Sequence, residues 1–465
     1  MPEHPKTPSA GVSRRSLLRF GAGAAALLPI GFVTACGAGS SREAETVRIA
    51  YQQFGTGEFW ANWIDAAAEK FTAAFPDLSV EPVPIVAAEN DYFTKNELLM
   101  SSPRTSPDIA YEDMFILLSD VSAGYLQPID QFVENWEPWS SIAEASSEAV
   151  VAEDGRIYGV PTHTDTRALW FNKEVLSDAG LPEDWAPGTW DDVLDAARTI
   201  KDQLSEVAPF FMFSGKAQGE KASMQGFQML LYGTGATLYD EDTQMWNVGS
   251  EGFLQSLEFI RTIFQEELTL SVSQHLDPNI EETIFGRYLP EGQLGIQLDG
   301  SWVSQNWTDG GARPWPEWTD TMGLARMPTR DGGGNGWVTV SGGWCLTIPE
   351  YATDPKTAFS FIEQLCETET LLDFTIANNY ITVREDIAED ERYLTYSPTV
   401  EFFTELLDGA FYRPALPAYP EVSNAIQDAM EAVMTMSQEP EQALASYDAA
   451  VKGIVGSENV QDSPR

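Results

Sequence analysis

Six of the fourteen tryptophans in this chain, Trp302, Trp307, Trp315, Trp318, Trp337 and Trp344, fall within one short stretch. An indole offers a flat apolar face and one N–H donor. That suits a guest with an apolar C–H face and a rim of hydroxyls, which is the chemistry of a sugar, with Asp, Glu and Asn as acceptors for the hydroxyl protons. A tryptophan serves as readily in a core as on a platform. Trp302, Trp337 and Trp344, however, follow Asp299-Gly300-Ser301, Asn335-Gly336 and Gly342-Gly343, where glycine lets the backbone approach a ligand.

Covalent and acid–base chemistry leave no comparable mark. The sequence has no Gly-x-Ser-x-Gly elbow for a nucleophilic serine. Acidic residues are so numerous that some pair always meets the spacing a glycosidase needs, so that pattern decides nothing. Of three histidines, His163 reads as a hinge or pocket-rim residue and His275 stands in an ordinary context. Asp331-Gly332-Gly333-Gly334 lacks the Lys-Ser/Thr of a phosphate loop. Cys36, Cys345 and Cys366 have no metal-ligand spacing, so neither metal nor cofactor is expected. If Cys36 is modified, Cys345 and Cys366 either pair or stand as two buried thiols.

The formal charge is −44. Without residues 1–35, which hold Glu3, Lys6, Arg14, Arg15 and Arg19, the balance is 70 acids against 23 bases. Such a surface repels nucleic acid and anionic lipid, and it disfavours an anionic ligand outside a local basic pocket. It also serves plain solubility.

The first 45 residues read as an address. Ser13-Arg14-Arg15-Ser16-Leu17-Leu18-Arg19 is a charged opening, and residues 20–35 are apolar and small. Sixteen residues fall short of the roughly twenty a membrane-spanning helix needs, so the segment reads as a signal peptide. Its paired arginines resemble the twin-arginine export signal; a general secretory signal is the alternative. Val33-Thr34-Ala35-Cys36-Gly37 looks like a lipobox, with a lipid on Cys36 as the anchor and residues 36–45 as a lipidated tether.

The elements that must position the tryptophans alternate. Residues 47–51 read as a strand, and Trp60, Trp63, Ile64, Ala67, Phe71 and Phe75 mark one face of a helix. Residues 78–85 are extended, 91–100 helical, and 106–111 form a third strand. Strand–helix–strand alternation implies an α/β class with a parallel sheet covered by helices. Ligands in such sheets sit beyond the carboxyl ends of the strands, near residues 51–59 and Glu112-Asp113. Further on, residues 168–172 read as a strand. Thr189 and Asp192 form a capping box for a helix with Val193, Leu194, Ala197, Ile200 and Leu204 inward. Residues 251–267 and 355–366 are amphipathic helices, and the last third is mostly helical.

These motifs together resemble the family-1 extracellular solute-binding proteins of ABC importers, the group that includes maltose- and other sugar-binding proteins. Ser106-Pro107-Asp108-Ile109 followed by residues 122–130 looks like the family's early signature. Asp154-Gly155-Arg156-Ile157-Tyr158-Gly159-Val160-Pro161, then Thr166-Arg167-Ala168-Leu169-Trp170-Phe171-Asn172-Lys173, is the most specific stretch. Residues 189–192 match the next helix start. Glu291 to Trp302 resembles the G-x-x-A-M-x-x-x-G-x-W element, with Leu294-Gly295-Ile296 in place of the usual small-small-Met. Arg413-Pro414 through Tyr419-Pro420 and Val422 resembles a C-terminal signature of the sugar-binding branch.

The resemblance implies a two-lobed periplasmic-binding-protein type II fold. Each lobe would be a mainly parallel sheet flanked by helices, joined by a hinge crossed near 161–165, 288–292 and 348–353. Residues 46–161 plus 292–348 would form the N-terminal lobe, and 165–288 plus 353–465 the C-terminal lobe. The lobes would close on a sugar and present it to ABC permease subunits, without catalysis, from a monomer held by lipid at the extracellular face of the membrane. By the same resemblance Trp302 and Trp344 would stack on the sugar, and Glu112, Asp113 and Asp165 would accept its hydroxyls. Arg413 would donate to an oxygen or serve a structural ion pair; Trp246 and Tyr51 complete the set. The alternatives are the same fold around a polyol phosphate, polyamine or peptide, and a secreted glycan-degrading enzyme.

Overall fold

The computed structural model describes residues 46–53, 58–87, 89–311 and 313–463. The expected signal peptide, Cys36 and the expected tether to residue 45 lie outside the described residues.

Strand β1 (Thr46–Gln53) buries Val47, Ile49, Ala50, Tyr51 and Gln52. Helix α1 (Phe59–Ala74) turns Trp60, Trp63, Ile64, Ala67 and Phe71 inward, at the three- and four-residue spacing of one helical face. Phe75 does not continue that face. The chain leaves the helix there, ahead of Pro76, and its ring is exposed. Strand β2 (Ser79–Val86), helix α2 (Glu89–Met100) and strand β3 (Ile109–Asp113) complete the opening. β1 pairs in parallel with both β2 and β3. β3 starts later than its sequence suggested and runs on through Asp113, every residue of it buried. Asp113 then caps helix α3 (Met114–Ala123), accepting from the Phe115 N–H at 3.0 Å.

Strand β4 (Gly159–Asp165) belongs to this first sheet. One residue later, strand β5 (Arg167–Asn172) opens a second. Helix α4 (Trp190–Gln203) starts on the Thr189–Asp192 capping box, which satisfies amide groups a helix end leaves orphaned. Val193, Leu194, Ala197 and Ile200 are buried on its inner face. Strand β6 (Ala208–Phe211), helix α5 (Glu251–Gln265), strand β7 (Leu294–Gly300) and strand β8 (Met322–Ala325) follow. The second sheet runs β8-β5-β7-β6, with β5 antiparallel to β7 and β8 and β6 parallel to β7.

Strand β9 (Trp337–Thr347) joins the two bodies. Its final residues pair antiparallel with β3 and β4 in the first sheet, which runs β10-β4-β9-β3-β1-β2, with β10 being Ile381–Thr382. Its earlier residues pair with Met327–Pro328 and with strand β11 (Ala410–Tyr412). A Cβ on Gly342 would stand 2.9 Å from the Arg413 Nη2, and one on Gly343 would stand 2.5 Å from the His163 carbonyl oxygen. The two glycines let both bodies close in on this strand.

The α/β class and the helix-covered sheets match the sequence. Two details differ. The sheets are mixed in direction, because β9 runs antiparallel to β3 and β4 in the first and β5 runs antiparallel to β7 and β8 in the second. The lobe boundaries also shift. Residues 294–300, expected in the first lobe, sit between β5 and β6, where Ile296 and Leu298 join the second core. Helices α6 (Pro355–Leu365) and α7 (Thr368–Asn378), expected in the second lobe, pack on the first. Phe361 lies 5.2 Å from Phe71, Phe374 stacks at 4.1 Å on Trp63, and the Trp63 Nε1 donates to the Leu365 carbonyl at 3.1 Å. Strand pairing and core packing thus place residues 46–165 with 342–400 in the first body, and 167–341 with 403–463 in the second. Helices α8 (Tyr419–Met434) and α9 (Pro440–Val455) return to the second core. Cys345 and Cys366 are free and buried; burial pushes both thiols up, Cys366 to about 12.

Candidate functional site

A cavity of about 380 Å³ lies where the two bodies meet. The first body lines it with Tyr51, Gln52, Phe59, Trp60, Asp113, His163, Asp165, Trp344 and Tyr380. The second contributes Arg167, Glu220, Lys221, Gln225, Glu281, Phe285, Trp302, Gln305 and Arg413, among others.

The aromatic wall is built from strand ends and the start of α1. Trp344 meets Trp60 edge-on at 4.9 Å and lies 5.4 Å from Tyr111. The Trp60 Nε1 donates to the Tyr380 hydroxyl at 3.3 Å. His163 stacks on Tyr380 with centroids 3.6 Å apart and planes 7° from parallel. Burial pushes the His163 imidazole down to about 3 against the opposing pull of Asp165, so the ring is neutral at physiological pH. Its Nδ1 meets the Thr162 hydroxyl at 3.0 Å and the Tyr111 hydroxyl at 3.2 Å, and the ring adds no charge to the cavity.

The ionic groups of the lining come from both bodies, the cations from the second, and most are paired. Arg413 donates from Nη2 to the Asp113 Oδ1 at 2.6 Å and from Nη1 to the Glu220 Oε1 at 3.4 Å, and its guanidinium lies 4.9 Å from the Phe115 ring. Glu220 also accepts from the Tyr419 hydroxyl at 2.7 Å. Burial raises the carboxyls of Asp113 and Glu220, and Arg413 offsets part of that rise. Asp165 pairs with Arg167 and accepts from the Gly342 N–H at 2.9 Å. Lys221 pairs with Glu281. Beside the wall, burial with the nearby Glu281 pushes Asp299 up to about 8; its carboxyl accepts from the Gly300 N–H at 2.7 Å. Gly300 has no Cβ for a structural reason: one would fall 2.0 Å from the Trp302 ring, which folds back over it.

Six of the expected ligand residues meet in this cavity: Tyr51, Asp113, Asp165, Trp302, Trp344 and Arg413. Arg413 stands there as the ion-pair partner of Asp113 and Glu220. Two do not. Successive side chains on a strand point to opposite faces, so with Asp113 in the wall, Glu112 points behind it. There Glu112 accepts from the Asn96 Nδ2 at 2.8 Å and contacts Asp120, and burial pushes its carboxyl up to about 7. Trp246 lies on the strand Met245–Val248, paired with Tyr239 and Val460 in a separate three-stranded sheet, its ring in the second core. The sequence reading passed over Trp60, read only as part of a helix face, and Arg167, Glu220, Lys221 and Tyr380. Trp60 carried one usable signal, its place at the start of a helix just beyond a strand end.

The sequence profile of the bacterial extracellular solute-binding proteins matches residues 60–369. This chain belongs to that family. The lactose-binding protein of Rhizobium radiobacter is 23% identical to this solute-binding protein over 305 residues, 64% of this chain and 66% of the relative. A solved ABC-transporter solute-binding protein of Thermotoga lettingae, bound with alpha-D-tagatose, superposes with a TM-score of 0.77 at 22% identity, covering 89% of this chain and 100% of its own. Maltose-bound MalE3 of T. maritima superposes with a TM-score of 0.75 at 21% identity, covering 88% and 100%. The family is extracellular and works with ABC permeases, and its two-lobed architecture is the one described above.

Proposed function

We propose that this solute-binding protein captures a sugar, a mono- to oligosaccharide, outside the cell and delivers it to the permease subunits of an ABC importer, without altering it. One observation carries the reading. The three basic side chains of the cavity wall, Arg167, Lys221 and Arg413, each sit against a carboxylate. Among the described residues of the wall no cation is left over to select a phosphate. Among the described lining residues, four of the five carboxylates, Asp113, Asp165, Glu220 and Glu281, are engaged in turn, and the fifth, Glu282, is exposed, which weakens the case for a polyamine. What remains for a guest is mostly aromatic surface and neutral polar groups, the complement of a polyhydroxylated ring. The relatives that bind lactose, tagatose and maltose are consistent with this.

Thermal unfolding of the mature chain against a panel of mono- to tetrasaccharides, amino acids, spermidine and a polyol phosphate tests the reading. A ligand that binds only the folded state raises Tm. A matching sugar raises Tm while the other classes leave it unchanged; a shift confined to another class overturns the assignment. The lipid on Cys36 would hold the monomer at the cell surface, two acyl chains sufficing for stable attachment. Replacing Cys36→Ser releases the protein into the medium; retention in the membrane fraction contradicts the anchor.

A further inference from the structure

We infer that Arg167 is the positioning residue for the Trp302 platform, holding the indole from one side so that a guest meets its remaining surface. The inference rests on the sugar reading of the cavity and deepens it.

Arg167 is 4% exposed and fixed at every level. Its backbone N–H donates to the Thr339 Oγ1 at 2.8 Å, and the same hydroxyl donates back to the Arg167 carbonyl at 2.9 Å. Its Nη1 reaches the Asp165 carboxylate and the Val340 carbonyl, the latter at 3.1 Å. The Nε–H, by contrast, is buried without an acceptor. A guanidinium oriented only by its carboxylate would use the planar fork, and leaving a buried donor empty is costly. The guanidinium carbon lies 4.8 Å from the Trp302 ring centroid, within the range of a cation–π pair, so the ring is a further contact on its plane beside Asp165 and Val340. The six-membered edge of the indole also rests against Gly300, where no Cβ intrudes.

The arrangement ties the crossing between the bodies to a ring of the second body. Asp165 ends β4 in the first sheet, Arg167 begins β5 in the second, and Trp302 follows β7. A ring held this way enters binding already ordered, so less freedom is lost when a guest stacks on it.

A double-mutant cycle on the sugar identified by thermal shift tests the inference: Arg167→Met, Trp302→Phe and the double variant, each titrated for affinity. Each single change is expected to lower affinity about tenfold or more. The double variant is expected to lose no more than Trp302→Phe alone, since both remove one device. Equal loss from Arg167→Met in either background, or no loss at all, overturns the inference. Should Arg167→Met fail to fold, Arg167→Lys carries the cycle, because it keeps the charge and loses the planar face. A second readout needs no ligand. The fluorescence of Trp302, taken as the difference between each chain and its Trp302→Phe counterpart, is expected to become more open to acrylamide quenching in Arg167→Lys. Unchanged quenching refutes the positioning role. If no sugar binds the natural chain, the sugar reading fails, while the quenching result still decides the role of Arg167.

Discussion

The two walls of the cavity are held by different physics. On the first body's side, Trp60, Trp344, His163 and Tyr380 pack against one another with few charges among them. On the second body's side, Arg167, Lys221, Glu220 and Arg413 balance charge against charge, and Arg413 reaches across to Asp113 of the first body. Packing tolerates small shifts of a ring. Buried charge does not tolerate the loss of a partner. In the proposed function the first body's rings, with Trp302 of the second body, supply surface for a guest, while the ionic pairs set where the two bodies stand when they meet.

The largest effect should come from the ionic wall. Arg413→Met leaves two buried carboxylates without their cation and is expected to cost about 3–5 kcal/mol, read as a lower urea midpoint. Adding Asp113→Asn and Glu220→Gln to the same chain should recover most of it. If Arg413→Met is nearly neutral, the ionic wall does not hold the bodies together.

A smaller effect, of opposite sign, is expected behind the aromatic wall. Glu112 faces Asn96 and Glu97 of α2, Asp120 of α3 and Thr347 of β9, with no basic side chain among the groups acting on it. Its folded pKa is raised from 4.5 to about 7, burial being the main cause. The folded state therefore binds more protons than the unfolded state between those values. This group's contribution is fully favourable below the unfolded pKa and falls as pH rises to about 7, beyond which it stays lost. Glu112→Gln should thus match the natural chain at pH 4 and exceed it by about 1–3 kcal/mol at pH 8. An equal difference at both pH values would show that the carboxyl is not held protonated by burial.

Much of the first wall was legible in the sequence. The three- and four-residue spacing of Trp60, Trp63, Ile64, Ala67 and Phe71 fixed a helix, and the strand before it placed Tyr51 at a carboxyl end. The glycines before Trp302 and Trp344 marked both as more than core residues. The second wall was mostly hidden, for a physical reason. Arg413 meets Asp113 across 300 positions and Glu220 across 193, and no local period encodes such a pairing. Glu112 misled because one residue of register on β3 separates the cavity from the core behind it. Trp246, carried over by resemblance alone, falls on a strand of a small accessory sheet with its ring in the second core. The lobe boundaries moved for a related reason. The chain crosses between bodies inside the continuous strand β9, where no loop composition announces it.

Calorimetric titration of the best sugar from the panel into the natural chain and into Trp302→Ala tests the central claim most directly, with thermal unfolding as the check that both fold. The account predicts one binding event per natural chain, and its loss or severe weakening in Trp302→Ala. Binding undiminished in Trp302→Ala, or saturable heat with spermidine and none with any neutral sugar, would contradict it.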